Sequence, residues 1–276
     1  MSLATQIKNE LNQLGIKPKK SLGQNFLINE GIYKKILDIA QIRPSETILE
    51  IGAGLGTLTE YLARAGGKIL AVEKDRNLVA YLKDRFRDYN NISTVEADIL
   101  KIKPSELGLE EKNYKLVGNI PYYLTSHLIR TVFENWPWPK DIILMVQKEV
   151  AQRIVTEPPN MNLLAVSIQY YARTEIAGMV SKGNFWPQPK VDSAIIKITP
   201  KTEIPEAVET ERFFRVLKAG FSGTRKQLIN TLSGGLKLSR KTVSSKLLSL
   251  GIATQRRAGT LTLDEWQNIA TTLLPR

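Results

Sequence analysis

Four consecutive residues that follow an apolar run are suited to holding a planar, amide-like amine against an electrophile. The run, Leu116 to Gly118, predicts a buried strand. Beyond it, the side-chain oxygen of Asn119 and the carbonyl of Ile120 can each accept one amine hydrogen. Pro121 fixes its own φ and so steadies that carbonyl, and Tyr122 offers a face on which a base can stack. The alternative is an ordinary turn, because Asn and Pro are common turn residues.

Three more sites of the same kind precede this tetrad, each at the end of a predicted strand. The strand 47–51 enters a glycine-rich turn, Gly52 to Thr57, where glycines allow a ligand to approach the backbone closely. Glu73 ends the second strand, about 20 residues past the glycines, where a carboxylate suits a ribose diol. Asp98 ends the third strand and suits an adenine amine. A lone carboxylate at a strand end can be a helix cap. The glycine turn is also a weak signal by itself, because Thr57 replaces the third glycine of the dinucleotide fingerprint. The hypothesis of a ligand site therefore rests on the order in which the sites occur.

Alternating strand and helix patterns predict the scaffold for these sites. We predict strands at 47–51, 68–72, 92–97, 114–117, 142–146, 175–180 and 193–198, and helices at 29–42, 58–65, 76–89, 125–134, 163–171, 209–219, 226–232, 240–250 and 263–274. Such alternation favours an α/β fold with a mostly parallel sheet and helices on both faces, followed by a small all-helical domain. Ligands of such sheets bind beyond the carboxyl ends of the strands, where all four sites fall.

The domain boundaries follow from the same patterns. Residues 1–20 are expected to form a mobile N-terminal arm with a short helix near Ile7 to Leu14. Residues 21–200 are expected to form the α/β domain, 200–205 a linker, and 206–276 a basic helical domain. No long apolar run or signal peptide is visible, so we expect no membrane association and a cytoplasmic location.

Composition narrows the chemistry. The 276 residues include no cysteine and one histidine, His127. Disulfides, cysteine metal sites and a cysteine nucleophile are therefore excluded, and we expect no metal. The net charge is +12, and residues 212–257 contain eleven Lys and Arg with no Asp or Glu. A stretch of one sign favours a polyanion as partner over a merely basic surface. We expect Arg225, Lys226, Arg256 and Arg257 to contact RNA phosphates.

The motifs, in this order, resemble the ribosomal RNA adenine dimethyltransferases that use S-adenosylmethionine. The residues that carry the resemblance are Leu22 to Leu27, Glu50 to Gly54, Val72, Glu73, Asp98 and the tetrad from Asn119. Met145 to Arg153 and Asn184 to Ala194 resemble the bacterial small-subunit branch of that family. The resemblance runs from about Ser21 to the C-terminus, and its motifs are specific in combination. The sequence departs from the family's commoner pattern at Trp186, where a second small or apolar residue is usual after Phe185.

The resemblance implies a Rossmann-like class I methyltransferase with a seven-stranded sheet. It implies transfer of methyl groups to N6 of two adjacent adenosines in a loop near the 3′ end of small-subunit ribosomal RNA, giving N6,N6-dimethyladenosine during subunit biogenesis. The partner would be a pre-assembled small subunit, and the enzyme a monomer. The implied donor residues are Asn25, Leu27, Gly52, Gly54, Glu73, Asp98 and Asn119. The implied residues around the target adenine are Asn119, Pro121, Tyr122 and Phe185.

Three alternatives stay open at this point. A large-subunit adenine methyltransferase shares the tetrad, but the stretch from Gln147 to Glu149 and the basic C-terminal region resemble the small-subunit branch more closely. A glutamine methyltransferase acting on a protein would have a second proline at Ile120 and little use for the basic stretch. A non-catalytic ribosome assembly factor would not need every donor position to be filled, as they are here.

Overall fold

A seven-stranded sheet organises the first part of the chain in this computed structural model, which describes residues 2–19, 22–121 and 124–275. Its strands are β2 (Thr47–Ile51), β3 (Lys68–Glu73), β4 (Ile92–Glu96), β5 (Tyr114–Asn119), β6 (Ile142–Gln147), β7 (Ala172–Val180) and β9 (Ser193–Pro200). Their order across the sheet is β4-β3-β2-β5-β6-β9-β7. The pairs among β2 to β6 are parallel, and β9 is antiparallel to β6.

The helices alternate with the strands and then follow them. They are α1 (Leu3–Gln13), α2 (Glu30–Ala40), α3 (Thr57–Arg64), α4 (Arg76–Arg85), α5 (Thr125–Asn135), α6 (Lys148–Ile154), α7 (Leu163–Tyr171), α8 (Ala207–Gly220), α9 (Leu228–Leu236), α10 (Arg240–Ser249) and α11 (Leu263–Leu273). The predicted α/β fold with a mostly parallel seven-stranded sheet and a helical C-terminal region is therefore confirmed. Helix α6 follows β6 directly and was not predicted from the sequence.

Local sequence explains why these elements form. Strand β6 is buried along its apolar run, as expected for a parallel strand covered on both faces. Helices α2 and α4 begin after residues whose side chains accept the first free backbone amides: Asn29 Oδ1 accepts from Gly31 at 2.8 Å, and Asp75 Oδ1 accepts from Asn77 at 3.2 Å. Asp75 is thus both the cap of α4 and the second residue after Glu73, which helps to fix the end of β3.

Two very short strands form a separate pair. Strand β1 (Phe26–Leu27) is antiparallel to β8 (Phe185–Trp186), with Phe26 opposite Trp186 and Leu27 opposite Phe185. The backbone amide of Ile28 continues the pairing by donating to the carbonyl of Asn184 at 2.8 Å. Strand β8 therefore lies outside the strands predicted from the sequence. A two-residue strand carries no periodicity of its own, so the sequence pattern could not predict it.

The described chain folds as two compact units. The first comprises Met1–Ala151 and Thr174–Pro200, and the second comprises Gln152–Arg173 and Lys201–Arg276. The predicted division at 200 differs from this because α7 packs with the C-terminal helices. Within the second unit, the ring of Tyr170 in α7 stacks on Phe213 of α8 with centroids 4.0 Å apart. Aromatic stacking of this kind adds to the burial of apolar area.

The N-terminal segment is ordered by packing in the first unit. Helix α1 is amphipathic, and Ile7 and Leu11 on its apolar side are each 1% exposed. Both lie in a cluster with Phe26, Leu55 and Leu78. Burial of two aliphatic side chains stabilises such a contact by about 3–6 kcal/mol, which does not fit the mobile arm expected from the sequence.

Candidate functional site

The carboxyl ends of β2, β3 and β5 open into one cavity of about 180 Å³ within the first unit. That is many times the space one water molecule needs, so the cavity has room for a ligand. The residues that line it include all seven positions expected to bind a methyl donor: Asn25, Leu27, Gly52, Gly54, Glu73, Asp98 and Asn119. Pro121 lines it as well. Parallel pairing in register brings these strand ends together, as the sequence pattern predicts.

Glu73 is held in place by backbone amides. Its Oε2 accepts from the amide of Gly54 at 2.9 Å, and its Oε1 accepts from Lys74 at 2.8 Å and Asp75 at 2.9 Å. Gly54 has φ +61°, a conformation that L side chains rarely adopt, and this directs its N–H towards the carboxylate. The carboxylate is therefore fixed before any ligand arrives and keeps lone pairs for further donors.

Asp98 also lines the cavity and is paired with a lysine. Lys74 Nζ donates to Asp98 Oδ2 at 2.9 Å, and the Leu100 amide donates to Oδ1 at 3.2 Å. Partial burial alone would raise the pKa of the Asp98 carboxyl, but the hydrogen bond and the positive charge of Lys74 outweigh it and lower that pKa. Asp98 is therefore an ionised acceptor at neutral pH.

Asn119 ties the end of β5 to the segment that precedes β1. Its Nδ2 donates to the carbonyl of Asn25 at 3.1 Å, so Oδ1 is the atom of the amide left as an acceptor. Gly23, two residues earlier with φ +61°, lies so close to Pro121 that an added Cβ would stand 2.9 Å from the Pro121 Cβ. The two contacts fix the first and third residues of the tetrad against one loop.

That loop is also anchored to β3. Asp75 Oδ2 accepts from Lys19 Nζ at 2.8 Å and from Gln24 Nε2 at 3.2 Å. Burial alone would raise the pKa of the Asp75 carboxyl, but these two hydrogen bonds lower it overall. The loop therefore has one anchor beside Glu73 and another at Asn119, on the two sides of the cavity.

Glu50 is a lining residue whose importance the sequence reasoning missed. It lies on β2 between the strands that carry Glu73 and Asn119, and it is 1% exposed. Among the residues described, its Oε2 has no hydrogen-bond partner. Burial raises the pKa of the Glu50 carboxyl to about 8; the nearby hydroxyl of Thr59 opposes this and the charge of Glu73 adds to it. The signal in the sequence is an acidic residue inside an otherwise apolar strand.

Two residues expected around the target base need separate comment. Tyr122 lies outside the described residues. Phe185 is 3% exposed, packs in the core cluster with Leu27 and Met145, and is not among the residues that line the cavity. Stacking on a base would require the Phe185 ring to leave this core, so the contact expected from the sequence is not preformed.

The four residues expected to contact RNA differ in their surroundings. Arg225, Lys226 and Arg257 are exposed. Arg256 instead forms a bidentate ion pair with Glu265: Nη2 donates to Oε2 at 3.0 Å and Nη1 donates to Oε1. It also donates to the side chain and the carbonyl of Thr260. The Arg256 side chain is thus engaged in joining a loop to the start of α11, because the fold brings Glu265 to it.

Across residues 2–19, 22–121 and 124–275, no helix is both long and apolar enough to cross a bilayer. The same stretches hold no group of three His, Cys, Asp or Glu side chains placed to bind a metal ion.

Sequence comparison shows which known proteins the chain resembles. The model of the ribosomal RNA adenine dimethylase family matches residues 15–274. A protein of Dehalococcoides mccartyi strain CBDB1 named ribosomal RNA small subunit methyltransferase A is 42% identical over 97% of this chain and 92% of its own length. A protein of the same name from Lysinibacillus sphaericus is 37% identical over 99% and 97%, respectively.

Solved structures agree with the sequence relatives. The crystal structure of the 23S rRNA methyltransferase ErmE superposes with a TM-score of 0.74 at 27% identity, covering 90% of this chain and 99% of that one. A dimethyladenosine transferase from Plasmodium falciparum has the same TM-score at 26% identity, with 88% and 95% covered. Similarity over nearly the full length of both chains includes the helical C-terminal region as well as the sheet.

Proposed function

The chain belongs to the ribosomal RNA adenine dimethylase family, and we propose from that premise that it is an S-adenosylmethionine-dependent methyltransferase acting on adenine N6 in small-subunit ribosomal RNA. The observation that carries this proposal is the convergence of Glu73, Asp98 and Asn119 on one cavity. The named relatives at 36–42% identity act on the small subunit, according to their names, and favour it over the large subunit. The similarity to ErmE fits the large-subunit alternative, but at 27% identity it supports that alternative less strongly than the small-subunit relatives support the main proposal.

The cavity fits the donor by the chemistry of its lining. Glu73, held by three amides, offers acceptor positions for the two ribose hydroxyls, and ionised Asp98 offers one for the adenine amine. The glycine turn leaves space where side chains would project, and Leu27 supplies an apolar wall. When bound, the donor's sulfonium supplies the electrophilic methyl group. The protein then needs to orient the two substrates rather than to generate a strong acid or base.

Asn119 and its neighbours orient the target amine. The Asn119 amide is held by the Asn25 carbonyl so that Oδ1 faces away as an acceptor. Oδ1 and the carbonyl of Ile120 accept one hydrogen each, which favours a pyramidal nitrogen with its lone pair aimed at the methyl group. Stacking on Tyr122 and Phe185 would stabilise a base taken out of its helix by about 1–3 kcal/mol per contact. For Phe185, this requires the ring to become exposed.

We further propose that the substrate is a pre-assembled small subunit and that the enzyme acts as a monomer. The exposed cations Arg225, Lys226 and Arg257, in a stretch of one sign, support contact with RNA phosphates. Two adjacent adenosines near the 3′ end are the proposed targets, each receiving two methyl groups. This substrate agrees with the expected cytoplasmic location.

The decisive experiment supplies labelled S-adenosylmethionine with unmethylated small subunits, large subunits or naked small-subunit RNA. We expect label only in the small subunits, on two adjacent adenosines near the 3′ end, as N6,N6-dimethyladenosine. Label in large subunits would support the alternative enzyme class. Tight subunit binding without any label would support a non-catalytic assembly factor.

A further inference from the structure

One arginine joins the glycine turn of the cavity to helices α1 and α3. Arg85 is the last residue of α4, and its side chain is 18% exposed. Its Nη1 donates to the carbonyl of Leu55 in the turn at 3.0 Å and to the hydroxyl of Tyr81 at 3.1 Å. Its Nη2 donates to Glu60 Oε2 of α3 at 2.8 Å, and Nη1 also donates to Glu10 Oε2 of α1 at 3.5 Å. A planar guanidinium holds several acceptors in fixed directions at once, which the single ammonium of a lysine does not.

These contacts are sheltered from solvent. The side chains of Glu10 and Glu60 are 20% and 22% exposed. Burial alone would lower the pKa of the Arg85 guanidinium, but the hydrogen bond to Glu60 and the interactions with Tyr81 and Glu10 outweigh it and raise that pKa. Salt screens partly buried ion pairs less than exposed ones, so the links made by Arg85 persist at physiological ionic strength.

The peptide that Arg85 holds belongs to the wall of the cavity. Leu55 lines the cavity, and its carbonyl is the acceptor for Arg85. The next residue, Gly56, has φ +78° and packs so closely against α4 that an added Cβ would stand 2.5 Å from Phe86 Cε2. This close approach sets the distance between the turn and α4, and the hydrogen bond sets the direction of the carbonyl between Leu55 and Gly56. Without that bond the peptide can rotate, and the wall of the cavity changes with it.

The same guanidinium attaches α1 beside the cavity. Glu10 lies three residues after Ile7 in α1, so the two side chains occupy neighbouring positions on the helix surface. Ile7 is 1% exposed and lines the cavity. A second cavity, of about 230 Å³, adjoins the first and shares Ile7 and Thr57 with it. Arg85 and Glu10 both line this second cavity, so on this side a charged contact across a space holds α1 in place.

We propose that Arg85 is a positioning residue for the methyl donor, because it holds the glycine turn by the Leu55 carbonyl and α1 by Glu10. The inference rests on the proposed function, since it assumes that the cavity takes S-adenosylmethionine. Arg85 is not among the residues that line this cavity, so it acts through Leu55 and Ile7, which do line it. Removal of Arg85 therefore weakens donor binding and leaves the transfer step from bound donor intact, because Asn119 is untouched.

Arg64 provides a matched control for the first measurement. It also pairs with Glu60 and also lines the second cavity, but its side chain is 71% exposed and both members of the pair lie on α3. The affinity of the full-length protein for S-adenosylhomocysteine is measured by titration calorimetry. We expect Arg85→Gln to weaken binding by about tenfold or more, as for the loss of a hydrogen bond to a charged group, and Arg64→Gln to change it by less than about twofold. Equal affinities of the wild type and Arg85→Gln would overturn the proposal.

A single-turnover rate separates positioning of the donor from a general loss of structure. Methylation of small subunits is followed at saturating S-adenosylmethionine. We expect the rate of Arg85→Gln to stay within about threefold of the wild type, because the variant loses donor binding but keeps the groups that orient the target amine. A saturated rate that falls as far as the affinity would indicate disruption of the whole first unit and overturn the proposal.

Glu10→Gln tests the link to α1 without removing the bond to the turn. We expect it to weaken S-adenosylhomocysteine by about threefold alone and to add nothing in the background of Arg85→Gln, because both substitutions remove the same contact. Additive losses in the double variant would show that Glu10 and Arg85 act independently and overturn the coupling of α1 to the site.

Hydrogen exchange of the wild type gives a test that needs no variant at Arg85 to fold. If docking of α1 strengthens donor binding, the ligand must in turn stabilise docked α1. S-adenosylhomocysteine should therefore slow exchange of the α1 amides, leave α11 of the second unit unchanged, and slow α1 less in Glu10→Gln. Exchange of α1 that does not respond to the bound ligand would overturn the proposal. A wild type that binds no S-adenosylhomocysteine would overturn the proposed donor site itself, and this outcome differs from a failure confined to Arg85.

Discussion

Leu27 and Phe185 lie directly opposite each other in the antiparallel pair of β1 and β8, although they are 158 positions apart in the chain. Leu27 lines the cavity proposed for the methyl donor, and Phe185 is proposed to hold the target base. One backbone pairing therefore joins a proposed donor contact to a proposed substrate contact. The Phe185 ring can move towards a base only if it breaks its core contact with Leu27.

The close approach of Gly23 to Pro121 gives a matched pair of substitutions. Gly23 has φ +61° and an added Cβ would meet the Pro121 Cβ at 2.9 Å, whereas Gly15 has φ +62° and no atom within 4 Å of such a Cβ. The backbone strain of alanine, about 1 kcal/mol, is therefore common to both. We expect Gly23→Ala to lower the methylation rate at least tenfold and Gly15→Ala to leave it within twofold. Equal rates in the two variants would show that the Gly23 contact does not position the tetrad.

Glu73 and Glu96 form a second matched pair, because they are register partners on β3 and β4. Glu73 lines the cavity, whereas Glu96 is exposed and pairs with Arg76. We expect Glu73→Ala to weaken S-adenosylmethionine and S-adenosylhomocysteine alike, by about 1.5–3 kcal/mol for two lost charge-assisted hydrogen bonds. Calorimetry should show no change for Glu96→Ala. Unchanged affinity in Glu73→Ala would show that Glu73 does not bind the ribose and only stabilises the glycine turn.

Asn119→Ala removes both the proposed acceptor and the contact with the Asn25 carbonyl. We expect methylation of small subunits to fall more than about 100-fold, the size of effect seen when one positioned polar group is removed from an active site. Donor affinity should fall but stay measurable, because the ribose and adenine contacts remain. A single-turnover rate within tenfold of the wild type would contradict the role of Asn119 in orienting the amine.

The exposed pair Arg225 and Lys226 can be compared with Arg256 from the same basic stretch. We expect Arg225→Gln with Lys226→Gln to weaken subunit binding and to make the dependence of log affinity on log salt shallower by about 0.7–0.9 per lost phosphate contact. Donor affinity should not move. If the salt dependence stays the same while donor affinity falls, these two charges support the fold of the first unit, which contains the cavity, and do not contact RNA.

Arg256→Gln should act on stability instead. Its ion pair with Glu265 is partly buried, with side chains 30% and 28% exposed, so the loss of its hydrogen bonds should lower the free energy of unfolding of the second unit by about 1–3 kcal/mol. Urea unfolding followed by the fluorescence of Trp266, which is buried in that unit, provides the measurement. An unchanged midpoint of urea unfolding, together with a shallower salt dependence of RNA binding, would show that Arg256 contacts RNA, as expected from the sequence.

Most of the fold follows from sequence periodicity. Strand β2 and helix α7 match their predicted ranges, because long apolar patterns determine which face is buried. The pairing of β1 with β8 could not be predicted, since its two partners are distant in the chain and too short to show a period. The segment 1–20 was expected to be mobile because the basic residues that follow α1 show no apolar period. Burial of Ile7 and Leu11 on the apolar side of α1 is what orders the segment.

The site is predictable to the extent that it depends on strand ends. Glu73 and Asn119 end β3 and β5, and Asp98 follows the end of β4 by two residues, so a parallel register brings the three together without further information. The surroundings of Arg256 depend on where the loop before α11 places Glu265, which no local pattern encodes. Glu50 belongs to the glycine-rich motif, but the absence of a hydrogen-bond partner for its Oε2 among the described residues depends on three-dimensional packing alone.

The placement of α7 in the second unit has a consequence for synthesis of the chain. Helix α7 leaves the ribosome before the strands β7 and β9 that complete the sheet, and before α8. The rings of Tyr170 and Tyr171 therefore gain their stacking contacts only when Phe213 and Phe214, more than 40 residues later, have been made. A chain that stopped at Pro200 would carry every strand of the seven-stranded sheet and still lack the phenylalanine rings that stack on those two tyrosines.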